Sequence, residues 1–116
     1  MKILVVDDDL SILRLYKEEL EEDGYEVVTA SNGVEAIERF ENEKPDLVTL
    51  DIQLPDVDGI KLLRQMKEKR PRLPIIMSTA YDYRDDFSVW ASEAYIVKSS
   101  DLAEFKATIK RLVGQG

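Results

Sequence analysis

The amino-acid sequence predicts an α/β fold in which five parallel strands form a doubly wound sheet with helices on both faces. Short apolar segments of the length of a buried strand alternate with longer segments in which apolar residues recur at helical spacing. The connections are short, and this alternation is typical of a parallel sheet because each helix carries the chain back to the start of the next strand. We expect one domain over residues 1–116, with no second domain after it, because no repeat or linker interrupts the pattern.

The first half of the chain contains two strand–helix pairs. Residues 3–6 are all apolar and mostly β-branched, which is typical of a strand buried on both faces. Apolar residues recur at helical spacing over residues 10–20, which predicts a helix. Gly24 is expected to end it. Residues 25–29 alternate as in an edge strand with one polar face, and residues 34–40 form a second apolar stripe that ends before Pro45.

The second half contains three more pairs. The third helix stops near Pro71, the fourth has the weakest pattern, and Ser100 or Asp101 is expected to cap the last one. The strands are predicted at residues 47–50, 74–78 and 94–97, and the helices at residues 60–66, 84–91 and 102–112.

The composition excludes several kinds of chemistry. The chain has no cysteine and no histidine, which excludes disulfides, thiol nucleophiles, imidazole bases and most zinc sites. The net charge of −8 disfavours non-specific binding to nucleic acid or to anionic membranes. The apolar start is too short for a signal peptide and no segment reaches transmembrane length, so we expect a cytoplasmic protein without membrane insertion.

Polar side chains follow four of the predicted strands. Asp7 and Asp8 follow the first strand, Asp51 the third, Thr79 the fourth and Lys98 the fifth. The carboxyl ends of parallel strands lie at one edge of the sheet, where ligands bind in open α/β folds. Asp51 alone would be explained equally well as the first residue of a turn. The convergence of several acids with a hydroxyl and an ammonium group favours a site.

The predicted cluster has the chemistry of a magnesium-dependent phosphorylation site. Clustered carboxylates repel one another, and a divalent cation relieves that repulsion. Mg²⁺ prefers a few carboxylates together with water and phosphate oxygens, whereas a hydroxyl and a lysine suit the phosphate itself. A carboxylate can act as the nucleophile that accepts a phosphoryl group. We therefore predict phosphorylation of an aspartate with Mg²⁺ as cofactor.

Simpler interpretations exist for individual residues. Lys98 could be a surface lysine, Thr79 a helix cap and Tyr95 a core residue of its strand. Asp9 is better explained as a helix cap or a solvated acid than as a ligand. The aromatic residues of the fourth predicted helix could pack on the sheet or form a partner surface; they are Tyr83, Phe87 and Trp90.

Two other motifs fit the turn after the third strand poorly. A haloacid-dehalogenase phosphatase places a DxDG motif directly after a strand. Here the matching residues are 56–59, and Leu54 and Pro55 separate them from the strand. An EF-hand loop needs oxygen ligands at its positions 1 and 12, which would be Leu54 and Gln65.

Four segments, in order and in register, resemble the receiver domain of two-component response regulators. They are Val5-Val6-Asp7-Asp8, residues 50–59, Ser78-Thr79-Ala80 and Tyr95-Ile96-Val97-Lys98. The resemblance covers essentially the whole chain and is to chemotaxis-like receivers. It implies a flavodoxin-like (βα)5 fold with strand order 2-1-3-4-5.

The resemblance also implies a role for each residue of the acidic cluster. Asp51 would be the phosphoacceptor. Asp8 would bind Mg²⁺ directly and Asp7 largely through water, and the ligands would be completed by Asp51 and the backbone carbonyl of Gln53.

The roles implied for the remaining residues concern the phosphoryl group and the switch. Lys98 would pair first with Asp51 and then with the phosphoryl group, to which Thr79 would donate a hydrogen bond. Tyr95 would turn inward when Thr79 moves, which would change the face formed by the fourth helix, the fifth strand and the last helix. Gln53 and Tyr81 occupy the positions that tune the lifetime of the phosphorylated state.

The family implies a signalling domain rather than a conventional enzyme, although receivers catalyse their own phosphorylation and slow autodephosphorylation. The implied phosphodonor is a sensor histidine kinase or a phosphotransfer protein. We expect no direct nucleic-acid binding and a monomer or weak dimer, and the downstream effector stays open. The rival hypothesis is a receiver-like interaction scaffold that works without phosphorylation.

Two features depart from the common receiver pattern. Ser99 follows Lys98 where most members have proline, so a cis peptide bond is not expected there. The segment from Thr79 to Lys98 is slightly short and lacks the usual glycine before the fifth strand. We therefore expect a short or irregular fourth helix.

Overall fold

A parallel sheet forms the centre of the protein. The computed structural model describes residues 1–79, 94–97 and 102–114. The strands are β1 (Lys2–Val6), β2 (Glu26–Ala30), β3 (Leu47–Leu50), β4 (Ile75–Thr79) and β5 (Ala94–Val97). The helices of this part of the chain are α1 (Leu10–Glu22), α2 (Gly33–Glu43), α3 (Gly59–Lys69) and α4 (Ala103–Gly114).

The strand order is β2-β1-β3-β4-β5, and every neighbouring pair is parallel. The α/β class and the order 2-1-3-4 of the first four strands are therefore confirmed. β5 lies beside β4, with Thr79 opposite Val97. The predicted fourth helix, at residues 84–91, lies outside the described residues, as do both predicted caps of the last helix, Ser100 and Asp101.

The core has two layers, one on each face of the sheet. Successive residues of β1 point to opposite faces, so Leu4 and Val6 pack on the side of α2 and α3, whereas Ile3 and Val5 pack on the side of α1 and α4. All four are at most 2% exposed. The prediction that residues 3–6 form a strand buried on both faces is therefore confirmed.

The helix ends follow from local capping chemistry. Asp9 is the N-cap of α1 and accepts a hydrogen bond from Ser11 N at 2.9 Å, which confirms the cap interpretation. After α1 the chain turns at Gly24, whose φ of 94° is strained for other residues. Asn32 caps α2 and Asp58 caps α3 in the same way.

Two apolar residues of the predicted stripes are not buried. Leu10 and Val34 belong to the first turns of α1 and α2 and are 67% and 72% exposed. Both helices start at the carboxyl edge of the sheet, and these two side chains point away from the buried face of their helices. The apolar periodicity of the sequence did not reveal that these two residues are exposed. Among the described residues, no helix is long and apolar enough to cross a bilayer.

Candidate functional site

Three carboxylates meet where β1 and β3 end. These strands are neighbours with Val6 opposite Leu50, so Asp7 and Asp51 follow at equivalent positions. One oxygen from each of Asp7, Asp8 and Asp51 lies within 4.8 Å of the others. We call these three residues the acidic cluster. Asp7 and Asp51 are only 2% and 5% exposed, whereas Asp8 faces solvent.

Backbone hydrogen bonds continue the sheet to this point. Asp51 N donates to Val6 O at 3.0 Å, and Asp7 N donates to Ala30 O at 3.1 Å. The ends of three adjacent strands are therefore tied together directly beneath the carboxylates. The Oδ1 atom of Asp7 also accepts a bond from Asp9 N at 2.9 Å, at the start of α1.

The loop from β3 to α3 turns tightly around Asp51. Gln53 N donates to Asp51 Oδ1 at 3.2 Å, and Gln53 forms an isolated antiparallel bridge with Asp58. Gly59 N donates to Ile52 O at 2.7 Å and closes the loop. A Cβ on Gly59 would lie 2.1 Å from the carbonyl oxygen of Asp51, so a side chain cannot be accommodated without moving the backbone.

The acidic cluster suits a hard divalent cation. It offers carboxylate oxygens, which Mg²⁺ prefers, and the exposed Asp8 leaves one side open to water and to a ligand. Two buried acids so close to a third repel one another unless a positive charge lies among them. The residues present therefore fit a magnesium ion.

The structure describes the other predicted site residues only in part. Thr79 is the last residue of β4, and Tyr95 lies in β5 opposite Met77. Their backbones therefore reach the same sheet as the acidic cluster, and Thr79 ends its strand at the same edge. Lys98 and Tyr81 lie outside the described residues, as do Ser99 and the aromatic residues of the fourth predicted helix.

Asp56 has a connection that the sequence did not reveal. Its carboxylate accepts hydrogen bonds from Gly33 N at 2.7 Å and Val34 N at 3.1 Å, at the start of α2. The bond from Gly33 lowers the pKa of Asp56 below its ordinary value of 3.8. In the sequence, Asp56 is an ordinary turn residue that follows a proline. Nothing nearby indicates its hydrogen-bond partners, because they lie 23 and 22 residues away.

Comparisons with known proteins agree with this fold and identify its family. The family model for the response regulator receiver domain matches residues 3–110. The alkaline phosphatase synthesis transcriptional regulatory protein PhoP of Bacillus subtilis is 41% identical over 115 residues, which are 97% of this chain and 48% of that protein. The chain spans about half the length of several curated relatives that it matches.

Two solved structures of the response regulator TrrA from Thermotoga maritima are also similar. The structure in complex with Mg²⁺-BeF has a TM-score of 0.92 and 46% identity, and the match covers 96% of this chain and 97% of that one. The structure in complex with the histidine kinase ThkA has a TM-score of 0.91 and 45% identity, with 97% of each chain covered.

The sheet order and the acidic cluster are typical of receiver domains, which are signalling domains rather than conventional enzymes. This chain belongs to the response regulator receiver domain family of two-component systems.

Proposed function

We propose that this chain accepts a phosphoryl group on Asp51, with Mg²⁺ as cofactor, from the phosphohistidine of a partner sensor kinase or phosphotransfer protein. The acidic cluster is the observation that supports this most directly. Asp51 is almost fully buried at the carboxyl edge of a parallel sheet, within 4.8 Å of two further carboxylates. The relative TrrA was solved with Mg²⁺-BeF and with a histidine kinase, which supports the same cofactor and kind of partner here.

The metal ligands would be Asp8 and Asp51 directly, Asp7 through water, and the backbone carbonyl of Gln53. When bound, Mg²⁺ would neutralise the negative charge that gathers on the transferring phosphoryl group. The bond from Gln53 N to Asp51 Oδ1 fixes the rotation of the carboxylate, so that this side chain presents a constant geometry to the incoming phosphorus.

The transfer forms one bond and breaks one. A carboxylate oxygen of Asp51 forms a bond to phosphorus, and the phosphorus–nitrogen bond of the phosphohistidine breaks. The electron pair of that bond stays on the imidazole of the donor. In autodephosphorylation, water attacks the phosphorus and releases inorganic phosphate, which restores the carboxylate. The resemblance to receiver domains implies that this second reaction is slow.

We further propose that the chain completes the (βα)5 fold with strand order 2-1-3-4-5 as a single cytoplasmic receiver domain over residues 1–116. Lys98 and Thr79 would bind the phosphoryl group, and Tyr95 would couple it to the face that includes β5 and α4. A phosphoryl group adds about two negative charges and three acceptor oxygens, enough to shift an equilibrium between two conformations. Gln53 and Tyr81 would set the lifetime of the phosphorylated state.

The test is labelling with a radioactive small acyl phosphate in the presence of Mg²⁺. The wild-type chain should acquire a label that hydroxylamine removes, and Asp51→Asn should abolish it because the amide is not a nucleophile. Asp9→Asn is the matched control. It also removes one negative charge, next to the acidic cluster rather than in it, and it keeps a capping side chain on α1. This control should label normally.

Persistent labelling of Asp51→Asn would show that another residue is the acceptor. If the wild-type chain neither labels nor shows amide shifts with Mg²⁺ and beryllofluoride, the interaction scaffold becomes the better hypothesis.

A further inference from the structure

Asp56 lies near the tip of the β3–α3 loop, and its carboxylate holds a different helix. Oδ1 accepts from Gly33 N at 2.7 Å and Oδ2 accepts from Val34 N at 3.1 Å. These are the first two N–H groups of α2, which have no hydrogen-bond acceptor within their own helix. The positive end of the helix dipole strengthens the attraction. The exposed carboxylate is ionised at neutral pH, as an ordinary aspartate is, and the bond from Gly33 N lowers its pKa further.

Gly33 allows this close approach. A Cβ at position 33 would lie 2.2 Å from Val57 Cγ1 and 3.2 Å from Asp56 Oδ1. The side chain of Val57 is itself partly buried against the core, which limits how far it can move away. The loop therefore fits against α2 because residue 33 has no side chain.

The loop that Asp56 holds also carries a proposed metal ligand. Gln53 pairs with Asp58 across the loop, and the bond from Gly59 N to Ile52 O closes its base. These contacts lie within the loop and hold its shape. The polar contacts of Asp56 link the loop to a separate helix and so orient it in the molecule.

The helix end that Asp56 binds is itself close to the other half of the site. α2 starts three residues after Ala30, the last residue of β2. Ala30 O accepts the hydrogen bond from Asp7 N. Asp56 thus connects the loop that follows Asp51 with the chain segment that holds the backbone of Asp7.

We propose that Asp56 is a positioning residue of the phosphorylation site: by holding the β3–α3 loop on α2, it places the carbonyl of Gln53 relative to the acidic cluster for Mg²⁺ binding. This inference rests on the proposed function, because it assumes that Mg²⁺ binds at the acidic cluster. Asp56 itself touches neither the metal nor the phosphoryl group in this mechanism.

Mg²⁺ titration followed by amide NMR tests the proposal from both sides of the contact. Asp56→Ala removes the carboxylate, and Gly33→Ala pushes the loop away without changing any charge. Removal of a residue that orients a metal ligand typically costs 10–100-fold in metal affinity, so we expect roughly tenfold weaker Mg²⁺ binding in both variants. Asp56→Asn keeps one acceptor oxygen and should give an intermediate loss.

Asn32→Ala is the matched control for helix capping. Asn32 Oδ1 accepts from Glu35 N at 2.9 Å, so this variant weakens the start of the same helix without removing a contact between α2 and the loop. It should lose thermal stability as Asp56→Ala does, yet bind Mg²⁺ with wild-type affinity. Circular dichroism melts confirm that each variant is folded at the titration temperature.

The possible failures are distinguishable. Wild-type affinity in Asp56→Ala or in Gly33→Ala would overturn the positioning role and leave the proposed function intact. An equal loss of affinity in Asn32→Ala would show a general loosening of α2 and would also overturn it. If the wild-type chain itself gave no Mg²⁺-dependent shifts around Asp51, the proposed function would fail and this inference with it.

Discussion

Asp51 and Gly59 lie at opposite ends of one loop, and their backbones are in contact. In the sequence, Gly59 is only the residue before the helix predicted from residue 60. In the structure, no side chain fits at this position, because a Cβ on Gly59 would lie 2.1 Å from Asp51 O and 2.6 Å from Ile52 Cα. The glycine allows the start of α3 to pack on the strand end that carries the proposed phosphoacceptor.

Gly59→Ala should therefore destabilise the protein by about 3 kcal/mol, the upper range for overpacking a rigid site, because the clash involves backbone atoms that cannot rotate away. Urea unfolding followed by circular dichroism measures the free energy of unfolding. Gly114→Ala is the control, since a Cβ there meets nothing within 4 Å and alanine favours a helix. A loss below about 1 kcal/mol in Gly59→Ala would contradict the backbone clash.

At the scale of elements, the start of α2 shows what a sequence pattern reveals and what it leaves out. Apolar spacing predicted the helix within a few residues of its observed bounds, because that spacing reflects burial against the sheet. The hydrogen bonds that fix its first turn were not predicted. Glu35 reaches back to Ser31, with its Oε1 2.8 Å from both Ser31 N and Ser31 Oγ.

These bonds to Ser31 lower the pKa of Glu35 below its ordinary value of 4.5. A carboxyl group with a lowered folded-state pKa stabilises the protein above its unfolded-state pKa, and this contribution is lost as the pH falls through the folded-state value. Glu35→Gln should therefore be less stable than wild type at pH 7, by up to about 1 kcal/mol. The difference should begin to shrink as the pH falls below the unfolded-state pKa of about 4.5 and should be lost as the pH falls through the lower folded-state pKa.

Urea unfolding at pH 7 and pH 3 measures this difference. Glu38→Gln is the control on the same helix, because the Glu38 carboxylate pairs with Arg39 at the surface rather than with a backbone N–H group. A Glu35→Gln difference of equal size at both pH values would mean that the charge of Glu35 does not contribute to stability.

At the scale of the whole molecule, the parallel α/β architecture could be predicted because it depends on apolar periodicity, which is spread over the entire chain. The meeting of Asp7, Asp8 and Asp51 followed from the same topology, since parallel strands place their carboxyl ends together. The link from Asp56 to Gly33 could not be predicted because it joins a loop to the start of a helix 23 residues away, and the path of the backbone alone decides that they meet. The metal and phosphate roles of the cluster stay predictions.

The acidic cluster concentrates charge in a molecule whose net charge is already −8. Mg²⁺ should therefore stabilise the whole fold, because only the folded state brings Asp51 to Asp7 and Asp8 and so forms the binding site. At a concentration 100 times its Kd, a ligand specific for the folded state adds about 2.7 kcal/mol. For a domain of 116 residues, that corresponds to a rise in Tm of roughly 10 °C.

Asp8→Asn separates the two effects of the cluster, repulsion and metal binding. Without Mg²⁺ the variant should be more stable than wild type by about 1 kcal/mol, the repulsion between two unit charges about 4 Å apart in water. With Mg²⁺ it should gain far less in Tm than wild type, because a direct ligand is missing. Thermal melts in MgCl₂ and in NaCl of equal ionic strength distinguish binding from screening. An equal rise in both salts, or the same Mg²⁺ response in Asp8→Asn as in wild type, would mean that the cluster does not hold the ion.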